Sequence, residues 1–283
     1  MEPAIIDTLP LFPELDRLLL ELLRGLRPAD WDLPTVAGHW RVRDVALHLL
    51  DGNLRSVSML RDGHFAGAGP ASAAPADVVV YLNQLNQSWV AATQRLSPAV
   101  LIDLLAHTGP PYYEYLGTLD PHAPATFAVG WAGEAESANW FHIARDYTER
   151  WHHQQQIRQA VRQEAALYQP ALYHPYLATS VRALPHRLHH VAAALGERVR
   201  FEVTGPGGGC WVLHREPAGW ALSLKTAAEP SVAPARAHVK VAGPVAWRLF
   251  SKNISLADAL PFVELVGDQQ LGQWLLGAVA VMA

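Results

Sequence analysis

The sequence predicts a mostly α fold in two parts, a helical bundle followed by a small α+β C-terminal domain. Three observations predict it. Apolar residues recur at helical spacing up to Gly196, strand-like alternation begins only after it, and Gly and Pro cluster between the segments. The chain has 283 residues, more than one hydrophobic core usually serves, so two domains are expected. Their expected limits are 1–168 for the bundle, 169–196 for a helical connector and 197–283 for the α+β domain.

Leu18, Leu19, Leu22, Leu23 and Leu26 form a helical stripe within 11–26, ended by Gly25 and Pro28. A second helix is expected over about 42–61, with Val45, Leu49 and Met59 apolar and Gly63 just past its end. Residues 63–75 are mainly Gly, Ala, Ser and Pro and read as a loop. Val79, Leu82, Leu85 and Trp89 mark a third helix over 77–96. Ser97 and Pro98 then cap a shorter one to Ala106. The stretch 108–134 holds Gly-Pro-Pro, two Tyr and Asp120-Pro-His-Ala-Pro124, and reads as an irregular linker expected to border a site. A long helix is expected over 135–163, and another over 172–195, interrupted by Pro185. Past Gly196, residues 199–203, 211–214, 220–224 and 237–241 read as strands. Gly205-Pro-Gly-Gly-Gly209, Pro217-Ala-Gly219 and Glu229-Pro230 supply the turns. Short helices near 245–250 and 256–259 and a last one over 268–281 complete the pattern.

Composition narrows the function. Half of the residues are hydrophobic and 17% are charged, ample for a packed core. A net charge of -4 and the lack of any basic run argue against a nucleic-acid partner. A lone cysteine, Cys210, cannot form an internal disulfide and fits a reducing compartment; it is assigned no chemistry. The first residues lack the basic-then-apolar pattern of a signal peptide, and no apolar run of about 20 residues is present to span a membrane. A cytoplasmic protein, monomer or homodimer, acting on small molecules is expected.

The chemistry concentrates in Phe141–Arg158. On a helix His142, Asp146, Glu149 and His153 share one face, where an ordinary core helix would carry an apolar stripe. Buried carboxylate and imidazole need a partner, and a metal ion is one. Glu149 and His153, four residues apart, suit two arms of a divalent-metal site, and His48, mid-helix in a hydrophobic run, suits the third. The plainer alternative for His48 is a hydrogen-bonded core histidine. His152 is the rival of His153, but lies round the helix from it. His142, Asp146 and His152 are expected to orient a ligand or wall the pocket. Arg145, Arg150 and Arg158 read as a solvated face, and His186 and His190 as a surface helix.

Trp40-Arg-Val-Arg-Asp44-Val-Ala-Leu-His48 resembles the second helix of the DinB/YfiT-like metal-binding bundles, nearest to the mycothiol-dependent maleylpyruvate isomerases. Arg145-Asp-Tyr-Thr-Glu149-Arg-Trp-His-His153 resembles their last bundle helix. The C-terminal stretch 197–283 is similar to their small sterol-carrier-like domain, through element order and Val266-Gly-Asp268. The resemblance implies a DinB-like four-helix bundle with His48, Glu149 and His153 as metal ligands. It further implies Zn²⁺, with Ni²⁺ or Fe²⁺ compatible with the same donors, and a low-molecular-weight thiol such as mycothiol. Isomerisation or S-transfer through a thiolate follows. The family's substrate-holding arginine falls in a stretch that here reads Trp247-Arg-Leu-Phe-Ser-Lys252, where Arg248 or Lys252 would serve without being a clean match. A non-catalytic carrier with a structural metal is the alternative, and a metal-free structural bundle a third.

Overall fold

The computed structural model describes residues 5–72, 74–223 and 235–281. They fall into two compact units. One comprises Asp7–Phe127 and Ala138–Leu167, the other Ala128–Ser137 and Tyr168–Val281 with residues 5–6.

The first unit is helical: α1 (Phe12–Arg24), α2 (Val42–Ser56), α3 (Pro75–Thr93), α4 (Pro98–Leu116) and α5 (Asn139–Ala160). Helix α1 packs on α4 and α5; α2 packs on α3, α4 and α5. Helices α1, α2, α4 and α5 thus surround the core, built on Leu19, Leu22, Leu23, Val45, Leu49, Leu101, Leu105 and Ile157. Helix α3 flanks α2, where the Trp89 indole donates to the Leu47 carbonyl at 2.8 Å. Helix α5 contains neither Gly nor Pro and is buried on nearly every side, so its polar residues must find partners inside the protein.

Two elements differ from expectation in this unit. The second helix ends at Ser56 and continues as one π turn, Val57–Arg61. The fourth runs ten residues past Ala106, straight through Pro110 and Pro111. Each proline removes one helical donor, yet Leu105, Gly109, Tyr112 and Leu116 keep a buried stripe across the break. Burial of that stripe outweighs two lost hydrogen bonds. At Gly109 an added Cβ would run into the Asp16 carboxylate, which pairs with Arg150.

The second unit holds α6 (Pro170–Ser180), α7 (Ala183–Arg187), β1 (Arg198–Thr204), β2 (Gly209–Glu216), β3 (Gly219–Leu222), β4 (Ala237–Ala242), α8 (Gly243–Phe250), α9 (Leu256–Ala259), β5 (Val263–Gly267) and α10 (Gln269–Leu276). The strands form one sheet in the order β3-β2-β1-β4-β5, with β1 and β4 parallel and the other pairs antiparallel. Register sets Phe201 beside Trp211 on one side and Val239 on the other. Val199, Phe201, Val203, Val239 and Val241 are buried, and α8 and α10 pack against this sheet; Phe250 meets Phe201 edge-on at 5.8 Å. The helix expected over 172–195 is two short helices, ending at Arg187. Strand β5 was not anticipated. Leu224 and the Glu229-Pro230 turn lie outside the described residues.

Candidate metal centre

Helix α2 begins where Asp44 accepts from the Arg41 backbone N–H at 2.9 Å. One turn on, His48 is buried and points its Nε2 at α5. At the start of α5 the Asn139 side chain and backbone N–H bond to the carbonyls of Asp120 and Ala123, at 2.9 Å each. The 108–134 stretch thus contributes both the end of α4 and the anchor of α5.

Three side chains meet between these helices. His48 Nε2 lies 3.2 Å from Glu149 Oε1, and His153 Nε2 lies 3.0 Å from the same oxygen. One donor atom from each of the three falls within 4.8 Å of the others, and among the described residues no other trio of His, Cys, Asp or Glu does so. Four donors about 2.0–2.2 Å from one tetrahedral ion stand roughly 3.3 Å apart, close to the two separations here. The ring of His48 meets that of His153 edge-on at 4.5 Å, and Trp40 covers His48 at 4.9 Å.

The hydrogen bonds test the fit to a cation. His153 Nδ1 is 2.8 Å from Gln156 Oε1, an acceptor, so the ring proton sits on Nδ1 and Nε2 presents a lone pair. A lone pair then faces a carboxylate oxygen at 3.0 Å, an arrangement that calls for a proton or a cation between them. His48 Nδ1 is buried without a hydrogen-bond partner among the described residues. Burial, with His153 beside it, pushes the His48 imidazole down to about 4, leaving it neutral near pH 7. His152 is pushed by burial to about 3. Burial works to raise the Glu149 carboxyl, but His153, His48 and His152 hold it well below the usual carboxylate range. Since the Glu149 side chain stays 46% exposed, burial opposes this only in part and the histidine contacts prevail. Two imidazoles and a carboxylate suit a divalent ion, and the exposure leaves an approach from solvent.

His152 also reaches this site. Its Nδ1 donates to the Thr148 carbonyl at 2.8 Å, and its Nε2 lies 3.9 Å from the other Glu149 oxygen. It is outside the trio but adjacent to it.

His142 and Asp146 form a neighbouring network further up the same helix. Arg145 Nη2 donates to Asp146 Oδ1 at 2.7 Å and to His142 Nδ1 at 3.1 Å, and the buried Tyr112 hydroxyl donates to Asp146 Oδ2. Burial would raise Asp146, but His142, Arg145 and Tyr112 together lower it. Sequence reading gave no individual role to Tyr112, Trp40 or Gln156, although Trp40 heads the stretch that carries the resemblance and Tyr112 lies in the 108–134 stretch; Gln156 stands three residues after His153, close enough to meet it.

The solvated-face reading of the arginines is overturned. Arg150 and Arg158 are buried. Arg150 pairs with Asp16 at 2.8 Å and bonds to Asn53, and Arg158 donates to the Leu18 and Gln163 carbonyls. Arg145 is only 22% exposed.

In the second unit Arg248 donates to the Asn253 carbonyl at 3.3 Å. Lys252 has φ of 57° and closes α8: its N–H reaches the Leu249 carbonyl and that of Asn253 reaches Arg248, a left-handed helix cap that usually takes glycine. His186, His189 and His190 are exposed and cluster with one another. Cys210 lies 3.5 Å from Arg200 Nη2. Among the described residues no helix is long and apolar enough to cross a membrane.

None of the curated proteins matches the chain significantly. A crystal structure of a histidine-to-alanine mutant of the mycothiol-dependent maleylpyruvate isomerase is similar at 12% identity and a TM-score of 0.51, over 93% of this chain and 95% of that one. A second crystal structure of the mycothiol-dependent maleylpyruvate isomerase has 11% identity and a TM-score of 0.46, over 87% and 91%. At that identity the first shows a shared fold. The family model of the mycothiol maleylpyruvate isomerase N-terminal domain matches residues 12–158, just over half of the chain and the whole span from α1 to the end of the candidate site. The chain belongs to that family.

Proposed function

We propose that this protein is a divalent-metal-dependent, thiol-using isomerase or S-transferase of the maleylpyruvate isomerase type, with His48, Glu149 and His153 holding the metal, Zn²⁺ first among the candidates. The single observation that carries the reading is the convergence of two imidazole Nε2 atoms on one oxygen of Glu149, with the His153 proton engaged elsewhere. An ion there supplies Lewis acidity that brings a coordinated thiol to thiolate near neutral pH. Trp40 shields the His48 ring, Gln156 fixes the His153 tautomer, and the exposed side of Glu149 is where thiol and substrate approach. A thiolate that adds to an electrophilic double bond, permits rotation and departs isomerises the substrate without consuming thiol. Displacement of a leaving group gives transfer instead. Mycothiol is the thiol we assign, and the cytoplasm the compartment.

Metal analysis of untagged protein tests the site. Wild type is expected to retain close to one equivalent of metal, and His48→Ala and Glu149→Ala to lose it. Retention in both variants would overturn the ligand set. Mycothiol titrated into cobalt-substituted protein is expected to change its visible spectrum. An unchanged spectrum, with no turnover of maleylpyruvate, would favour the carrier reading, against which the exposure of Glu149 already speaks.

A further inference from the structure

We propose that Arg145 is the carboxylate-binding arm of this centre, an inference that rests on the reading that an anionic substrate enters beside Glu149. The three arginines of α5 differ in what they have left to give. Arg150 is taken up by Asp16 and Asn53, and Arg158 by two backbone carbonyls. Arg145 is anchored through Nη2 alone, to Asp146 and His142. Its Nε and Nη1 make no hydrogen bond among the described residues, which leaves three N–H donors on a side chain that still reaches solvent.

The anchor is itself held. Asp146 receives the hydroxyl of Tyr112, a side chain buried in the bundle, so the carboxylate that fixes the guanidinium cannot swing away. This is the preorganisation an anion site needs, because the cost of ordering a long side chain is met before the ligand arrives. Helical spacing sets Arg145 one turn from Glu149 on the same side of α5, within electrostatic reach of it. Asp146 balances the charge of Arg145, and Glu149 offsets one of the two charges of a divalent ion. With an ion bound and before a thiolate joins it, the sum over the site is one net positive charge, which favours an anion. Arg145 and Glu149 stand four residues apart, one helical turn of about 5.4 Å along α5, so an anion held by Arg145 would be a near neighbour of the trio.

Maleate, a cis-dicarboxylate that the proposed chemistry cannot isomerise without a thiol, is the probe in thiol-free protein, with maleamide as its neutral counterpart. Calorimetric titration of both into wild type, Arg145→Gln and Arg145→Lys, each with its metal content measured, makes the test. Maleate is expected to bind wild type saturably and Arg145→Gln about tenfold or more weakly, the worth of a charge-assisted hydrogen bond. Arg145→Lys is expected to fall between the two, with maleamide and metal content unchanged throughout. Equal maleate affinity in wild type and Arg145→Gln overturns the proposal, as does the absence of saturable maleate binding to wild type. Should Arg145→Gln not fold, Arg145→Lys decides by the same comparison, since it keeps the charge that balances Asp146. Arg145-dependent maleate binding without any turnover of maleylpyruvate in the presence of mycothiol leaves this arm standing and removes the isomerase reading, so the two fail separately.

Discussion

His48 and His152 are held neutral by burial, and this ties stability to pH. Their folded values, about 4 and about 3, lie below the ordinary 6.5, so the unfolded chain binds protons first as pH falls. Stability is therefore full above about pH 6.5 and declines as pH drops toward the folded values. Metal-free wild type is expected to lose at least about 1 kcal/mol between pH 7 and 5 by urea unfolding, and His48→Gln to lose less. An equal loss in both would place the acid sensitivity elsewhere. Arg150 poses the opposite problem, a charge that must stay paired. Burial raises the Asp16 carboxyl and Arg150 opposes it. Arg150→Met is expected to cost about 3 kcal/mol, and Arg150→Met with Asp16→Leu to recover much of that; the urea midpoints of the two variants check it. The convergence of His48, Glu149 and His153 was legible because two members stand four residues apart and the third interrupts an apolar run. The burial of the arginines was not, since the partner of Arg150 lies 134 residues away in sequence.

Among the elements, α4 shows where local rules yield. Gly-Pro-Pro reads as a break on propensity, but the stripe from Leu105 to Leu116 keeps the helix going. Gly109→Ala is expected to destabilise by about 1–3 kcal/mol, as overpacking does, measured by thermal or urea unfolding. No loss would mean that Asp16 can move aside. Strand β5 escaped notice because five residues at a sheet edge, with little of either face buried, carry too short an alternation to stand out from a loop. The end of α8 bears on Lys252. A non-glycine residue in the left-handed region is disfavoured, so Lys252→Gly is expected to stabilise by about 0.5–1 kcal/mol. If Lys252 instead binds substrate, as the family resemblance suggested, the same change will raise KM, and kinetics with thermal unfolding separate the two roles.

For the whole molecule, the division into helices first and sheet second was readable from the switch in hydrophobic period at Gly196. The assignment of 128–137 to the unit of the sheet was not, because nothing local marks it. Ligand binding to the native state alone raises apparent stability by mass action. Added Zn²⁺ is expected to raise the melting temperature of chelator-treated wild type and to leave that of Glu149→Gln nearly unchanged. A similar rise in both would point to binding away from this centre.

Anchor, carboxylate and imidazole are all carried on one unbroken stretch of α5, from Asp146 to His153. Inserting or deleting a single residue between Glu149 and His153 would swing everything downstream about 100° around the axis. Along this stretch the protein can therefore change by replacing side chains but not by changing length, and relatives that keep the chemistry should align there without a gap.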